Sequence, residues 1–153
     1  VERIRAVEPR AGIRSNVIAG FPGETESDVE TLREFIIDAN LDFLGVFGYS
    51  DEDGTEGEGL NAHLDQAEVE ARREMLTDVA NLVCEPRSAE RVGERSVVLV
   101  EETDADGASG RAPHQGPDTD GVVELPGADL RIGQFIEVEF IDATGIDMVG
   151  EPR

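Results

Sequence analysis

The chain contains no lysine and no tryptophan, one cysteine and two histidines, and it has no apolar run of membrane length; each shortage removes a class of function. A single thiol, Cys84, excludes an internal disulfide and any cluster or zinc site built from several thiolates of this chain. It falls among helical apolar residues and reads as a small buried core residue. His63 and His114 are far apart in sequence and show no ligand spacing, so neither a metal site nor a catalytic residue is assigned. Without a membrane-length run or a signal-peptide pattern, a cytoplasmic location and no membrane contact are expected.

Positive charge is scarce as well. Thirteen arginines stand against 35 acids, for a net charge of −22. The bias is shared: residues before Val92 carry −12 and those from Val92 onward −10. Nucleic-acid binding needs cations that displace phosphate counterions, so such a surface repels RNA and DNA. A basic protein partner suits it better, although salt adaptation of the host would produce the same bias.

What is present is periodic. Apolar residues make up 39% of the 153, in blocks separated by Gly, Asp and Glu clusters, enough for one domain or two small ones with a real core. The organising stretch is Ser15 to Glu26, which reads as strand, Gly20-Phe21-Pro22-Gly23 loop and helix. Thr25 can cap that helix by accepting the Asp28 N–H, and Glu24, Glu26 and Asp28 suit the positive end of its dipole. In α/β folds ligands gather at strand-to-helix turns, so the loop is either a tight turn or a ligand loop.

Taken in order, Val1 to Val7 look like the last turns of a helix, closed by Glu8-Pro9, in a chain that seems to start mid-fold. A strand over Ile13 to Ala19 precedes a helix from Glu26 to Ala39, where Val29, Leu32, Ile36 and Ala39 recur at helical spacing and Phe35 widens the stripe. Asn40 ends it. The continuous apolar run Phe43 to Tyr49 predicts a strand covered on both faces, completing a βαβ unit. An acidic, glycine-rich loop, Ser50 to Gly59, then opens on the same rim as the Gly-Phe-Pro-Gly turn; its spacing is not that of an EF-hand. A longer helix over Gln66 to Ser88 has Asp65 as cap and Leu76, Val79, Ala80 and Val83 as its apolar face, and Pro86 should kink or end it early.

After Gly93 the period changes to two. Strands are predicted at Ser96 to Glu102, from about Ala108, at Asp120 to Leu125, at Gln134 to Asp142 and at Ile146 to Gly150, with a hairpin turn at Asp104 to Gly107. Five short strands point to a small barrel whose outward residues are mostly acidic.

Two motifs carry a resemblance. Ile18 to Glu26, followed by Gly45-Val46-Phe47-Gly48-Tyr49-Ser50-Asp51-Glu52-Asp53-Gly54-Thr55, resembles the late barrel strands of radical S-adenosylmethionine methylthiotransferases. Gly110-Arg111 and Asp118-Thr119-Asp120-Gly121-Val122-Val123 resemble recurrent pieces of their TRAM domain. The resemblance implies an α/β plus all-β chain: the last βα units of a partial TIM barrel over residues 1–91, then a five-stranded, OB-like TRAM barrel over 92–153. Acids before the Gly-Thr, here Glu52-Asp53, resemble the RimO-type branch, which methylthiolates an aspartate of small-subunit ribosomal protein twelve; the tRNA-modifying branch usually has Arg-Pro there. Family members usually continue Gly-Thr into Pro-Ala, whereas Glu56-Gly57 follows here.

The resemblance also implies cofactors: S-adenosylmethionine and two 4Fe-4S clusters, one cleaving S-adenosylmethionine to a hydrogen-abstracting radical and one supplying sulfur. The cysteines for this are absent, so the chain is expected to be a carboxy-terminal fragment, inactive alone. By resemblance, Gly20, Phe21, Pro22, Gly23 and Glu24 would help hold S-adenosylmethionine. Arg111, Asp118, Asp120 and Gly121 would belong to the docking barrel for a basic ribosomal protein. The competing readings are the tRNA adenosine branch and a non-catalytic acidic protein-binding module. Two strands and two helices cannot close a barrel and would leave apolar strand edges exposed.

Overall fold

The structure, a computed structural model, describes residues 1–117 and 120–153. The elements in order are α1 (Glu2–Val7), β1 (Arg14–Ala19), α2 (Glu26–Ala39), β2 (Phe43–Gly48), a 3-10 turn (Gly57–Gly59), α3 (Gln66–Ala89), β3 (Arg95–Thr103), β4 (Gly107–Arg111), β5 (Val123–Pro126), β6 (Phe135–Thr144) and β7 (Asp147–Pro152). They form two compact units, one of Arg14–Val83 and one of Val1–Ile13 with Cys84–Arg153.

In the first unit β1 and β2 pair in parallel, with Ser15 beside Leu44, Val17 beside Val46 and Ala19 beside Gly48. Those residues alternate with Arg14, Asn16 and Ile18, which lie beside Phe43, Gly45 and Phe47 on the other face. Leu44 and Ala19 are buried, whereas Ile18 and Phe47 are more than half exposed. The expectation of a strand covered on both faces is therefore corrected, because this two-stranded sheet has only one buried side.

Helix α2 begins as its sequence requires. Asp28 N–H donates to Thr25 Oγ1 at 3.3 Å, and Thr25 N–H donates to the Asp28 carboxylate at 2.9 Å, completing a capping box. The Thr25 hydrogen bonds hold the Asp28 carboxyl below its ordinary range. A lowered acid stabilises above its unfolded value and ceases to as pH falls through the folded one, so the box weakens only in acid. Thr25→Ala should cost about 1 kcal/mol, read as a lower denaturation midpoint of the chain. Asn40 closes the helix at φ 45°, in the left-handed conformation. Val29, Ile36 and Ala39 are buried, but Phe35 is exposed, so the apolar stripe is narrower than its sequence predicts.

Helix α3 runs through Pro86 to Ala89, which corrects the expected early break or end. The proline stands one turn from the helix end on an exposed position, and its carbonyl still accepts the Glu90 N–H at 3.0 Å. Only the missing proline N–H is lost there, on a side open to water. Cys84 is buried, as expected for a small core residue.

The second unit contains a closed barrel of order β3-β4-β5-β7-β6. All neighbours are antiparallel except β5 and β7. Its core is the inward set of each strand: Val98 and Val100, Ala108, Val123 and Leu125, Val138 and Phe140, and Met148. Burying each valine, leucine or phenylalanine contributes roughly 1.5–3 kcal/mol, so this alternation is what holds the barrel shut. Bulges at Val100/Glu102 and Phe140/Asp142 bend β3 and β6 into the closure. The strand predicted from Asp120 begins later, at Val123. Gly121 has φ +80°, and a side chain there would meet the Ile146 carbonyl at 2.5 Å, so residues 120–122 turn rather than extend.

Candidate functional site

In the unit of residues 14–83, the loop after β1 and the loop after β2 lie side by side at the carboxyl ends of the strands. Gly20 is required twice over: its φ is +78°, and a Cβ there would strike Val69 of α3 at 2.7 Å. Val69 also packs against Gly48, the last residue of β2, so one helix side chain sets the depth of both strand ends. Tyr49 N–H donates to Ala19 O at 2.8 Å, and Gly23 N–H donates to Ala62 O at 2.9 Å.

Aromatic rings line this rim. Phe21 meets Tyr49 edge to face at 5.2 Å between centroids, and Tyr49 meets His63 at 6.0 Å. The Tyr49 hydroxyl donates to Asp51 at 2.9 Å, while the other Asp51 carboxylate oxygen lies 3.3 Å from His63 Nδ1. Desolvation first, and then Asp51, hold the Tyr49 hydroxyl above its ordinary range. The acidic loop is tied internally: Gly54 N–H donates to Glu58 at 3.1 Å, and Thr55 Oγ1 donates to Glu52 O at 2.8 Å. No group of three His, Cys, Asp or Glu among the described residues could hold a metal ion.

Beneath the rim lies an ion cluster, buried at Arg72 and Glu24 and open to water at Glu26 and Glu68, that the sequence pattern did not predict. Arg72 of α3 has a side chain only 9% exposed, and it donates to Glu24 at 2.8 Å, to Glu26 at 2.9 Å and to Glu68 at 2.7 Å. It also reaches the Glu24 carbonyl at 3.1 Å. The Glu24 carboxylate in turn accepts the Gly20 N–H at 3.0 Å, so the loop is clasped from its first residue to its last. Glu24, and then Glu68, hold the Arg72 guanidinium above its ordinary range against the opposing effect of burial. A signal existed: Arg72 interrupts the helical stripe of Val69, Leu76 and Ala80, and a charge on an apolar face marks a buried pair.

This arrangement limits what the predicted cofactor residues can offer. Gly20 and Glu24 are spent on each other, Glu24 also on Arg72, and Gly23 N–H on Ala62. Phe21 is 44% exposed, with its ring against Tyr49 and Pro22 half-buried beside it. Of these loop residues, Phe21 is the one with an exposed apolar side chain to offer a bound molecule. A cluster of iron and sulfur does not fit this chain, whose one thiol is buried.

The predicted docking residues lie on the barrel. Arg111 pairs with Glu101 at 2.8 Å, and both line a cleft of about 500 Å³ together with Glu102, Ser109, Gly121 and Asp147. Arg111 and Gly121 therefore share one surface. Asp120 is instead buried, its carboxylate accepting the Gly116 N–H at 2.8 Å, and Asp118 lies outside the described residues.

A TRAM domain family model matches residues 92–152. Over 153 residues the chain is 47% identical to the ribosomal protein uS12 methylthiotransferase RimO of Cutibacterium acnes, covering 99% of this chain and 32% of that protein. It is 46% identical to the proteins of the same name from Nocardioides sp., with 98% and 32% covered, and from Streptomyces avermitilis, with 99% and 31% covered. The chain spans about a third of the length of these relatives, and matches their carboxy-terminal part.

Proposed function

Since this chain belongs to the RimO-type methylthiotransferase family, we propose that it supplies the cofactor-side rim and the substrate-docking barrel of an enzyme that methylthiolates an aspartate of ribosomal protein uS12. The observation that carries the reading is the 47% identity running through both units, over 99% of the chain. In it, S-adenosylmethionine, the group that supplies the radical chemistry when bound with the clusters, would rest against Phe21 on the wall formed by Gly20 to Glu24. Residues 92–153 would dock the basic substrate. No step is assigned to a cluster on this chain, and the reading places the work in the cytoplasm, where ribosomes are.

Charge supports the protein substrate over tRNA. Residues 92–153 carry 14 acids and 4 arginines, which attract a basic protein and repel a polyphosphate. The test is a chimera in which this chain replaces the matching third of the Cutibacterium acnes relative. Mass spectrometry of uS12 incubated with the reconstituted chimera should show methylthiolation, whereas modified tRNA with unmodified uS12 would favour the nucleic-acid branch. Loss of both, with the clusters loaded and the protein folded, would refute the assignment.

A further inference from the structure

The barrel carries an outward apolar stripe that its own packing does not use. Val98 and Val100 of β3 point into the core, so Val97 and Leu99 face outward. Leu99 pairs with Phe135 of β6 on one side and with Arg111 of β4 on the other, and Val97 pairs with Glu137. Phe135 therefore stands beside Leu99 on the outer surface, where it is 69% exposed. Ile132, also well exposed, precedes Gly133, whose N–H donates to Val100 O at 2.8 Å and ties that loop to the same strand.

Charge frames the stripe and selects its occupant. Arg111, the cation beside Leu99, is engaged by Glu101, and Arg95 and Arg153, which border Val97, are engaged by Glu139, while Glu137 faces solvent across from Val97. A nucleic acid would meet Glu137 and the surplus of 14 acids over 4 arginines in residues 92–153 with like charge, and so would a second copy of this chain presenting the same face. A protein segment that alternates lysine or arginine with an apolar residue meets both features.

We propose that this face docks such a basic segment of the substrate protein, with an apolar side chain seated against Phe135 and Leu99 and a neighbouring cation on Glu137. This rests on the reading of the barrel as the module that docks uS12. A large exposed aromatic beside a leucine is the kind of anchor on which binding energy concentrates, with the surrounding acids setting approach and orientation.

The experiment is a titration of fluorescently labelled recombinant uS12 with the full chain, followed by anisotropy at two salt concentrations. Phe135→Ser should weaken binding about 10-fold or more, with Phe135→Leu keeping most of the affinity. Glu137→Gln should weaken it about 3-fold and lessen its salt dependence. Wild-type binding that Phe135→Ser leaves unchanged would overturn the proposal while leaving uS12 as substrate. Absence of wild-type binding would instead remove the reading it rests on. Sedimentation showing a dimer that Phe135→Ser abolishes would assign the face to a second copy and overturn the proposal as well.

Discussion

Replacing Arg72 with methionine is expected to destabilise the unit of residues 14–83 by about 3 kcal/mol or more, because removing one partner of a buried ion pair strands the other. The stranded group is the Glu24 side chain, 11% exposed, which would keep only the Gly20 N–H. Arg72→Lys should recover little, since one ammonium cannot reach Glu24, Glu26 and Glu68 in the fork geometry that the guanidinium uses. Adding Glu24→Gln to Arg72→Met should restore part of the loss, because the amide oxygen still accepts from Gly20 and the carboxylates left without Arg72, Glu26 and Glu68, are open to water. Tyr49 is the sole tyrosine and tryptophan is absent, so intrinsic fluorescence during denaturation reports on this unit. An unchanged midpoint, together with unchanged exchange of the Gly20 amide, would show that the clasp does not hold the loop. In the proposed enzyme the same variant should raise the concentration of S-adenosylmethionine needed before it lowers the limiting rate, as expected when a binding wall loses its shape.

The second large effect is expected at Gly110, where alanine should destabilise the barrel by about 3 kcal/mol or more. Alanine in a strand usually gains roughly 0.5–1 kcal/mol over glycine, so the sign is decided by space. A Cβ at Gly110 would lie 2.0 Å from Leu99 O and 2.8 Å from its carbonyl carbon, which are backbone atoms with no rotamer to yield. The strand would have to part from β3 at its bulge. Hydrogen exchange should then lose protection at Leu99 and Arg111, the next pair of the ladder. Gly59→Ala is the control: it has open space, and its effect should stay within about 0.5 kcal/mol. Equal effects at the two glycines would refute the steric account.

Local features of the fold were legible because their causes are local. The capping box of Thr25 and Asp28 spans four residues, and the end of α2 at Asn40 needs only one residue that tolerates the left-handed region. The alternation that buries Val138 and Phe140 is visible in six consecutive residues, and the hairpin at Asp104 is closed by its own bond to Gly107 O at 3.0 Å. The structure departs from the sequence pattern at positions whose outcome depends on a distant neighbour. Phe35 and Phe47 have the composition of buried residues, yet nothing local says which side of a helix or sheet stays open. The cost of Pro86 is visible in the sequence, whereas the solvent exposure that makes one missing N–H tolerable is not.

By itself, then, the sequence determined the element types, the caps and turns, the two-residue period of the barrel strands and the acidic surface, since each follows from interactions between residues a few positions apart or from simple counts. Tertiary structure decided the rest. It set the barrel order β3-β4-β5-β7-β6, which joins β5 to β7 past an intervening strand. It joined Arg72 to Glu24 across 48 positions, and it placed Phe135 beside Leu99 on the outside of a barrel whose inside was already full. The physical reason is common to all three: burial, pairing of charges and closure of a sheet are properties of segments brought together, and their free energy exists only once the chain has met itself.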